Sequence, residues 1–151
     1  MKRLCTICVR SGSKGVINKN IRELADKPLL AHSILQAKKS NLFQAIAVSS
    51  DSDEILNIAK RWEADYLVKR PYKLASDEAP KIPVIQHTLQ TAEELTHQHF
   101  DVIVDLDATS PLRNISDISN VVTMLESNHV SNVITGTPAR RSPYFNIVEL
   151  N

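Results

Sequence analysis

Only three of the 151 residues are glycine, and two of these, Gly12 and Gly15, fall in one short stretch. Cysteine is almost as scarce. Cys5 and Cys8 are the only two, so no second pair exists to complete a four-ligand zinc site. In an extended segment, residues three apart point to opposite faces. This C-x-x-C therefore sends its thiols apart, unlike redox pairs, which sit where a helix begins. Two reduced, buried cysteines are expected. No apolar run approaches the roughly 18 residues of a membrane span, and no signal-cleavage pattern follows the short apolar start. A cytoplasmic protein without membrane contact is the expectation. Lys plus Arg number 18 against 17 Asp plus Glu, a net charge of +1, so the extended basic surface of a nucleic-acid binder is missing. Repeats, low-complexity segments and internal linkers are also absent, and residues 1–151 read as one domain.

What is present is concentrated near the start. Arg10-Ser11-Gly12-Ser13-Lys14-Gly15, followed by Lys19-Asn20, comes directly after an apolar run over residues 4–9. Lys2, Arg3, Arg10, Lys14, Lys19 and Arg22 give the first 22 residues six basic side chains and no acidic one. Glycine lets consecutive N–H groups turn toward one anion, and the cations converge on the same place. A phosphate cradle explains both features; two plain turn glycines explain only the first. The loop is neither a Walker A motif nor the G-x-G-x-x-G dinucleotide fingerprint.

Apolar runs alternate with helical periodicity along the rest of the chain. Strands are expected over residues 4–9, 45–48, 66–68, 102–106 and 132–135, with another beginning over 144–150. Helices are expected over 28–39, around Ile55, Ile58, Ala59 and Trp62, around Ile85, Leu89, Ala92 and Leu95, and around Ile118, Val121, Val122 and Leu125. Ser116 or Asp117 is the expected cap of the last helix, and residues 70–83 read as a polar connection. This rhythm predicts an α/β fold, a Rossmann-like three-layer sandwich whose mainly parallel sheet carries helices on both faces. The segment 144–150 reads either as a domain cut short or as an edge strand that simply stops.

Ligands of open parallel sheets bind beyond the carboxyl ends of the strands. The polar candidates collect there: the first loop, then Ser49-Ser50-Asp51, Arg70, and Asp107-Ala108-Thr109-Ser110-Pro111-Leu112-Arg113. Ser49-Ser50-Asp51 fits a helix cap and a substrate contact equally well. Asp105 and Asp107 lie two apart on a strand and project to one face, so they can share a divalent cation. Asp105 can instead be a satisfied polar residue of the sheet, which leaves Asp107, nearer the rim, as the functional one. The five histidines show no ligand spacing beyond His97 and His99, placed on an exposed helix end, and receive no chemistry.

Four ordered stretches resemble the acylneuraminate cytidylyltransferases, the CMP-sialic acid synthetase family. They are RSGSKGVINKN from Arg10, AVSSDSDEIL from Ala47, RPYKLASD from Arg70 and TSPLR from Thr109. The resemblance implies a fold of the nucleotide-diphospho-sugar transferase type, a homodimer, CTP and a nine-carbon 2-keto sugar acid as substrates, and Mg²⁺. Carried over by position, Arg10, Gly12, Ser13, Lys14, Gly15, Lys19 and Asn20 would hold the CTP phosphates and ribose. Arg70 and residues 75–81, including Ala79 and Lys81, would surround the cytidine. Arg10, Lys14 and Lys19 would stabilise charge during transfer, with Lys19 on the departing pyrophosphate. Asp107, Thr109, Ser110 and Arg113 would meet the sugar acid, and Asp107 with Asp105 the metal. Many family members have Gln-Pro before TSPLR where this chain has Asp107-Ala108, which points to a subgroup such as the legionaminic acid type. The resemblance also places further metal aspartates and the dimer contact beyond Asn151. Two other readings stay open: a nucleotide-binding module without turnover, and a glycosyltransferase using Asp105-x-Asp107.

Overall fold

The alternation of buried side chains along the first strand organises the structure. In the computed structural model, which describes residues 1–13 and 15–136, β1 spans Arg3–Cys8. Leu4 packs to one side of it, and Cys5 and Ile7 to the other. Lys14 and the segment 144–150 lie outside the described residues. After β1 come a two-residue hairpin of β2 (Glu23–Leu24) and β3 (Lys27–Pro28), then α1 (Leu29–Ser40), β4 (Ala45–Ser50), α2 (Asp53–Arg61), β5 (Tyr66–Lys69), α3 (Lys81–Thr96), β6 (Val102–Asp105) and α4 (Ile115–Ser127). Short 3-10 turns stand at Lys19–Ile21 and Tyr72–Leu74.

The main sheet has the order β5-β4-β1-β6, with all pairings parallel. Leu4 faces Ala45 across one ladder, and Thr6 faces Asp105 across the other. All six residues of β4 are buried, as a strand covered on both faces requires. One face seats Cys5, Ile7, Ile46 and Val48 against Leu30, Ile34, Ile55 and Ala59 of α1 and α2. The opposite face carries Leu4, Ala45, Ala47 and Val68 against Ala92 of α3 and Phe100. These are the three layers of the expected sandwich. The cysteines are free thiols; Cys5 belongs to the α1/α2 face, while Cys8 meets Thr88 of α3.

Local chemistry sets the helix ends. Ser52 caps α2 by accepting the Ile55 N–H at 3.4 Å, with Asp53 and Glu54 in the first turn and Lys60 and Arg61 in the last. Those charges complement the helix dipole. Asn41 closes α1 with φ 52°, a left-handed conformation that asparagine tolerates.

Three expectations are corrected. Helix α3 begins at Lys81, inside the stretch expected to be a connection; Pro83 then sits in its first turn, where a missing N–H costs nothing. The α4 helix starts at Ile115, so neither Ser116 nor Asp117 is its cap. Asp117 instead reaches back from the first turn to accept the Asn114 N–H at 2.7 Å. Residues 132–135 form no strand, because no ladder partner meets them among the described residues, and Ile134 is 83% exposed.

The chain divides into two units, Met1–Ser119 and Asn120–Asn151. Among the described residues, the first contains every strand of the sheet and every site residue discussed below. The second opens within α4 and continues, in its described part, as irregular chain to residue 136.

Candidate functional site

Because β4 and β6 flank β1 on opposite sides, the chain reverses its direction of sheet growth at β1. Crevices open at such switch points. A cavity of about 580 Å³ lies there, beyond the carboxyl ends of the strands. Its walls come from the loop after β1, the loop after β5, the start of α3 and the loop after β6.

The loop after β1 is held from outside. Gly12 takes φ +68°, a conformation glycine adopts without strain. The Ser11 N–H donates to Asp51 Oδ1 at 2.8 Å, and the Ser11 hydroxyl donates to Asp51 Oδ2. Burial pushes the Asp51 carboxyl upward, but these bonds outweigh it and leave the group below its ordinary value. On the other side, the buried Asn20 amide donates to the Arg10 carbonyl at 2.9 Å, tying the two ends of the loop together. Arg10, Ser13, Gly15, Lys19 and Asn20 line the cavity, whereas Gly12 lines a small neighbouring hollow of about 40 Å³. Arg10 is ion-paired with Asp77, which reaches across from the loop after β5.

The Ser49-Ser50-Asp51 stretch does not itself cap the helix. Ser52 is the helix cap; Ser49 and Ser50 are fully buried, and Asp51 anchors Ser11.

Arg70 lines the cavity, but its guanidinium is largely committed to the sheet. It donates to the Val9 carbonyl at 3.1 Å and to the Ser49 carbonyl and hydroxyl at 3.0 and 3.3 Å. It is 6% exposed, and burial pulls its pKa below the usual arginine value. Arg70 thus joins the ends of β1 and β4.

At the β6 end, Asp107, Ala108 and Thr109 line the cavity, with Ala79 and Lys81 opposite, while Ser110 and Arg113 are not among its lining residues. Arg113 turns inward instead. Its guanidinium donates to Ser33 Oγ at 3.1 Å, to Gln36 Oε1 at 2.9 Å and to the Asp107 carbonyl, bracing the loop on α1. Asp105 and Asp107 do project together, as their spacing implies. Their common partner is Lys81, with Nζ 2.6 Å from Asp105 Oδ2 and 3.1 Å from Asp107 Oδ2. Partial burial lowers the Lys81 pKa, but the two carboxylates more than reverse this and raise it. No group of three acidic, histidine or cysteine side chains able to hold a metal occurs among the described residues. In the described structure the expected carboxylate pair holds an ammonium between its members.

Sequence reasoning missed Thr6, whose hydroxyl donates to Asp105 Oδ1 at 3.0 Å, and did not foresee the partners of Asp51 and Asp77. The only available signal was position: Asp51 and Asp77 follow strand ends. Their partners lie 40 and 67 residues away along the chain and meet only through the parallel sheet.

The cytidylyltransferase sequence profile matches residues 4–147. The chain belongs to this family. It is 49% identical over 147 residues to the post-translational flagellin modification protein B of Campylobacter coli, covering 97% of this chain and 63% of that one. It is 47% identical, with the same coverage, to the CMP-N,N'-diacetyllegionaminic acid synthase of Campylobacter jejuni. The chain thus spans less than two thirds of the length of these relatives. Among solved structures, a CMP:2-keto-3-deoxy-manno-octonic acid synthetase complexed with CTP superposes with a TM-score of 0.68 at 14% identity, over 85% of this chain and 49% of that one. A cytidylyltransferase from Leptospira borgpetersenii gives 0.65 at 22% identity, over 85% and 50%. These likenesses establish the shared fold.

Proposed function

We infer that the cavity binds CTP, and that the protein transfers CMP to the anomeric hydroxyl of a nine-carbon 2-keto sugar acid of the sialic or legionaminic type. The acceptor oxygen bonds to the α-phosphorus, the P–O bond to the departing pyrophosphate breaks, and the hydroxyl proton passes to water. The observation that carries this reading is the loop after β1, braced from two sides and turning Arg10 and Lys19 into the cavity at the switch point. Negative charge spreads over phosphoryl oxygens during such a transfer, and prepositioned cations and N–H groups stabilise it without reorganising. A phosphate entering the cavity competes with Asp77 for Arg10. Lys19 faces the departing group. Mg²⁺, when bound, would supply neutralisation of the triphosphate charge.

The test incubates the purified chain with CTP, Mg²⁺ and a panel of keto-sugar acids and measures pyrophosphate. Release with CTP and one acid, and none with UTP, is expected. CTP binding without release reduces the function to nucleotide recognition, and binding of a preformed nucleotide-sugar instead of CTP overturns the reading. Lys19→Ala is expected to weaken CTP binding about tenfold and CMP binding much less, since one charge-assisted contact is lost. Equal weakening of both would remove Lys19 from the pyrophosphate end.

A further inference from the structure

The carboxylates that the sequence offers to a metal already hold a cation, and they hold it in a particular way. Thr6 is fully buried and is the register partner of Asp105 across the β1–β6 ladder. Its hydroxyl fixes Asp105 Oδ1 at 3.0 Å, which leaves Oδ2 for Lys81 at 2.6 Å. Asp107 Oδ2 contacts the same ammonium at 3.1 Å from the rim. An ammonium carries three N–H donors, and two carboxylates account for two of them. The third remains for the cavity, which Lys81 and Asp107 line and Asp105 does not. Lys81 is also the first residue of α3, so its backbone is fixed as firmly as its head group. A lysine held at its backbone and at its head group has less rotamer freedom to lose when a ligand arrives, which makes it a more preorganised cation than a free surface lysine.

We propose that Asp105 and Asp107 are the mount of Lys81 rather than metal ligands, and that Lys81 presents a fixed cation to an anionic oxygen of a bound reactant. That oxygen belongs to a nucleotide phosphate or to the carboxylate of the acid acceptor. Asp105 acts only through Lys81, as a positioning residue. The proposal builds on the CTP reading above and specifies which side chains complete that site.

The experiment uses the full chain and the variants Lys81→Met, Lys81→Arg, Asp105→Asn and the Lys81→Met/Asp105→Asn double substitution. Calorimetry gives the Kd of CTP and of inorganic pyrophosphate, steady-state assays give the KM for the acid, and electron paramagnetic resonance follows Mn²⁺ binding to nucleotide-free protein. Lys81→Met is expected to raise one of these constants about tenfold, equivalent to about 1.4 kcal/mol. A change in the CTP or pyrophosphate Kd assigns the oxygen to phosphate; a change confined to the acid's KM assigns it to the carboxylate. Asp105→Asn is expected to cost about threefold in the native background and nothing further beside Lys81→Met, the non-additivity of residues acting as one unit. Lys81→Arg should restore part of the loss. Additive effects, unchanged constants in Lys81→Met, or a Mn²⁺ site in the nucleotide-free protein that Asp105→Asn abolishes would each overturn the proposal. Wild-type protein that ignores CTP defeats the CTP reading instead, and the mount is then decided by the pyrophosphate and Mn²⁺ measurements.

Discussion

The two loops that face each other across the cavity solve opposite electrostatic problems. The loop after β1 is rich in cations and is held by acids from elsewhere: Asp51 from the end of β4 on Ser11, and Asp77 from the loop after β5 on Arg10. The β6 end carries acids and is held by a cation from elsewhere, Lys81 of α3, while its own Arg113 is folded back onto α1. Each side of the cavity thus takes its counter-charge from another element. Counting charged residues along either segment misjudges what it offers a ligand. Among the arginines near the rim, Arg70 and Arg113 are braces, and Arg10 remains directed at the cavity.

Arg70→Met should do the most damage, because it removes the link between the ends of β1 and β4 that sets the geometry of both loops. Three hydrogen bonds from a buried charged group are lost, a destabilisation of about 3 kcal/mol that urea unfolding would register. Arg70→Lys should recover less than half, since one ammonium does not reproduce the forked donor geometry. Full recovery would show that charge alone matters there.

Asp51→Asn acts on the β1 side only. It should weaken CTP binding about fivefold by loosening Ser11, with a fold cost of about 1 kcal/mol. Its pH dependence has a defined sign. The folded carboxyl lies below its ordinary value of 3.8, so its contribution to stability is present above that value and is lost as the pH falls through the depressed one. The variant should therefore show a shallower acid limb below pH 3.8 in thermal melts. An unchanged limb would mean that Ser11 is held by something else.

The smallest effect is expected for Arg113→Met. Ser33 Oγ still donates to the Asp107 carbonyl at 3.2 Å and Gln36 to the Pro111 carbonyl at 2.7 Å, so the β6 loop keeps part of its bracing. A loss of about 1 kcal/mol in unfolding, without the fivefold effect on CTP, would maintain the contrast between the two ends. A CTP defect as large as that of Asp51→Asn would erase it.

Much of this was legible beforehand. Apolar runs and helical periodicity located β1, β4, β5 and β6 and the four helices, since buried strands and buried helix faces leave a direct trace in residue type. The same pattern failed at residues 132–135, because a short apolar run becomes a strand only when a neighbour supplies its hydrogen bonds. The hairpin of β2 and β3 was too short to leave a period, and its turn residues Ala25 and Asp26 both take positive φ without a glycine to advertise it. At the site, ten of the expected residues do line the cavity: Arg10, Ser13, Gly15, Lys19, Asn20, Arg70, Ala79, Lys81, Asp107 and Thr109. Their partners were not legible.

The sequence by itself determined the family, through four ordered motifs that resemble it, and also the parallel α/β layers and the strand ends at which polar residues gather, because these last two depend on the order of apolar and polar residues along the chain. Only the tertiary structure decided which polar groups meet: Ser11 with Asp51, Arg10 with Asp77, Lys81 with Asp105 and Asp107, Arg113 with Ser33 and Gln36 of α1. The physical reason is that hydrogen bonds and ion pairs act over a few ångströms of space whatever the separation along the chain. A parallel sheet brings side chains 24 to 99 residues apart to that range at the ends of its strands.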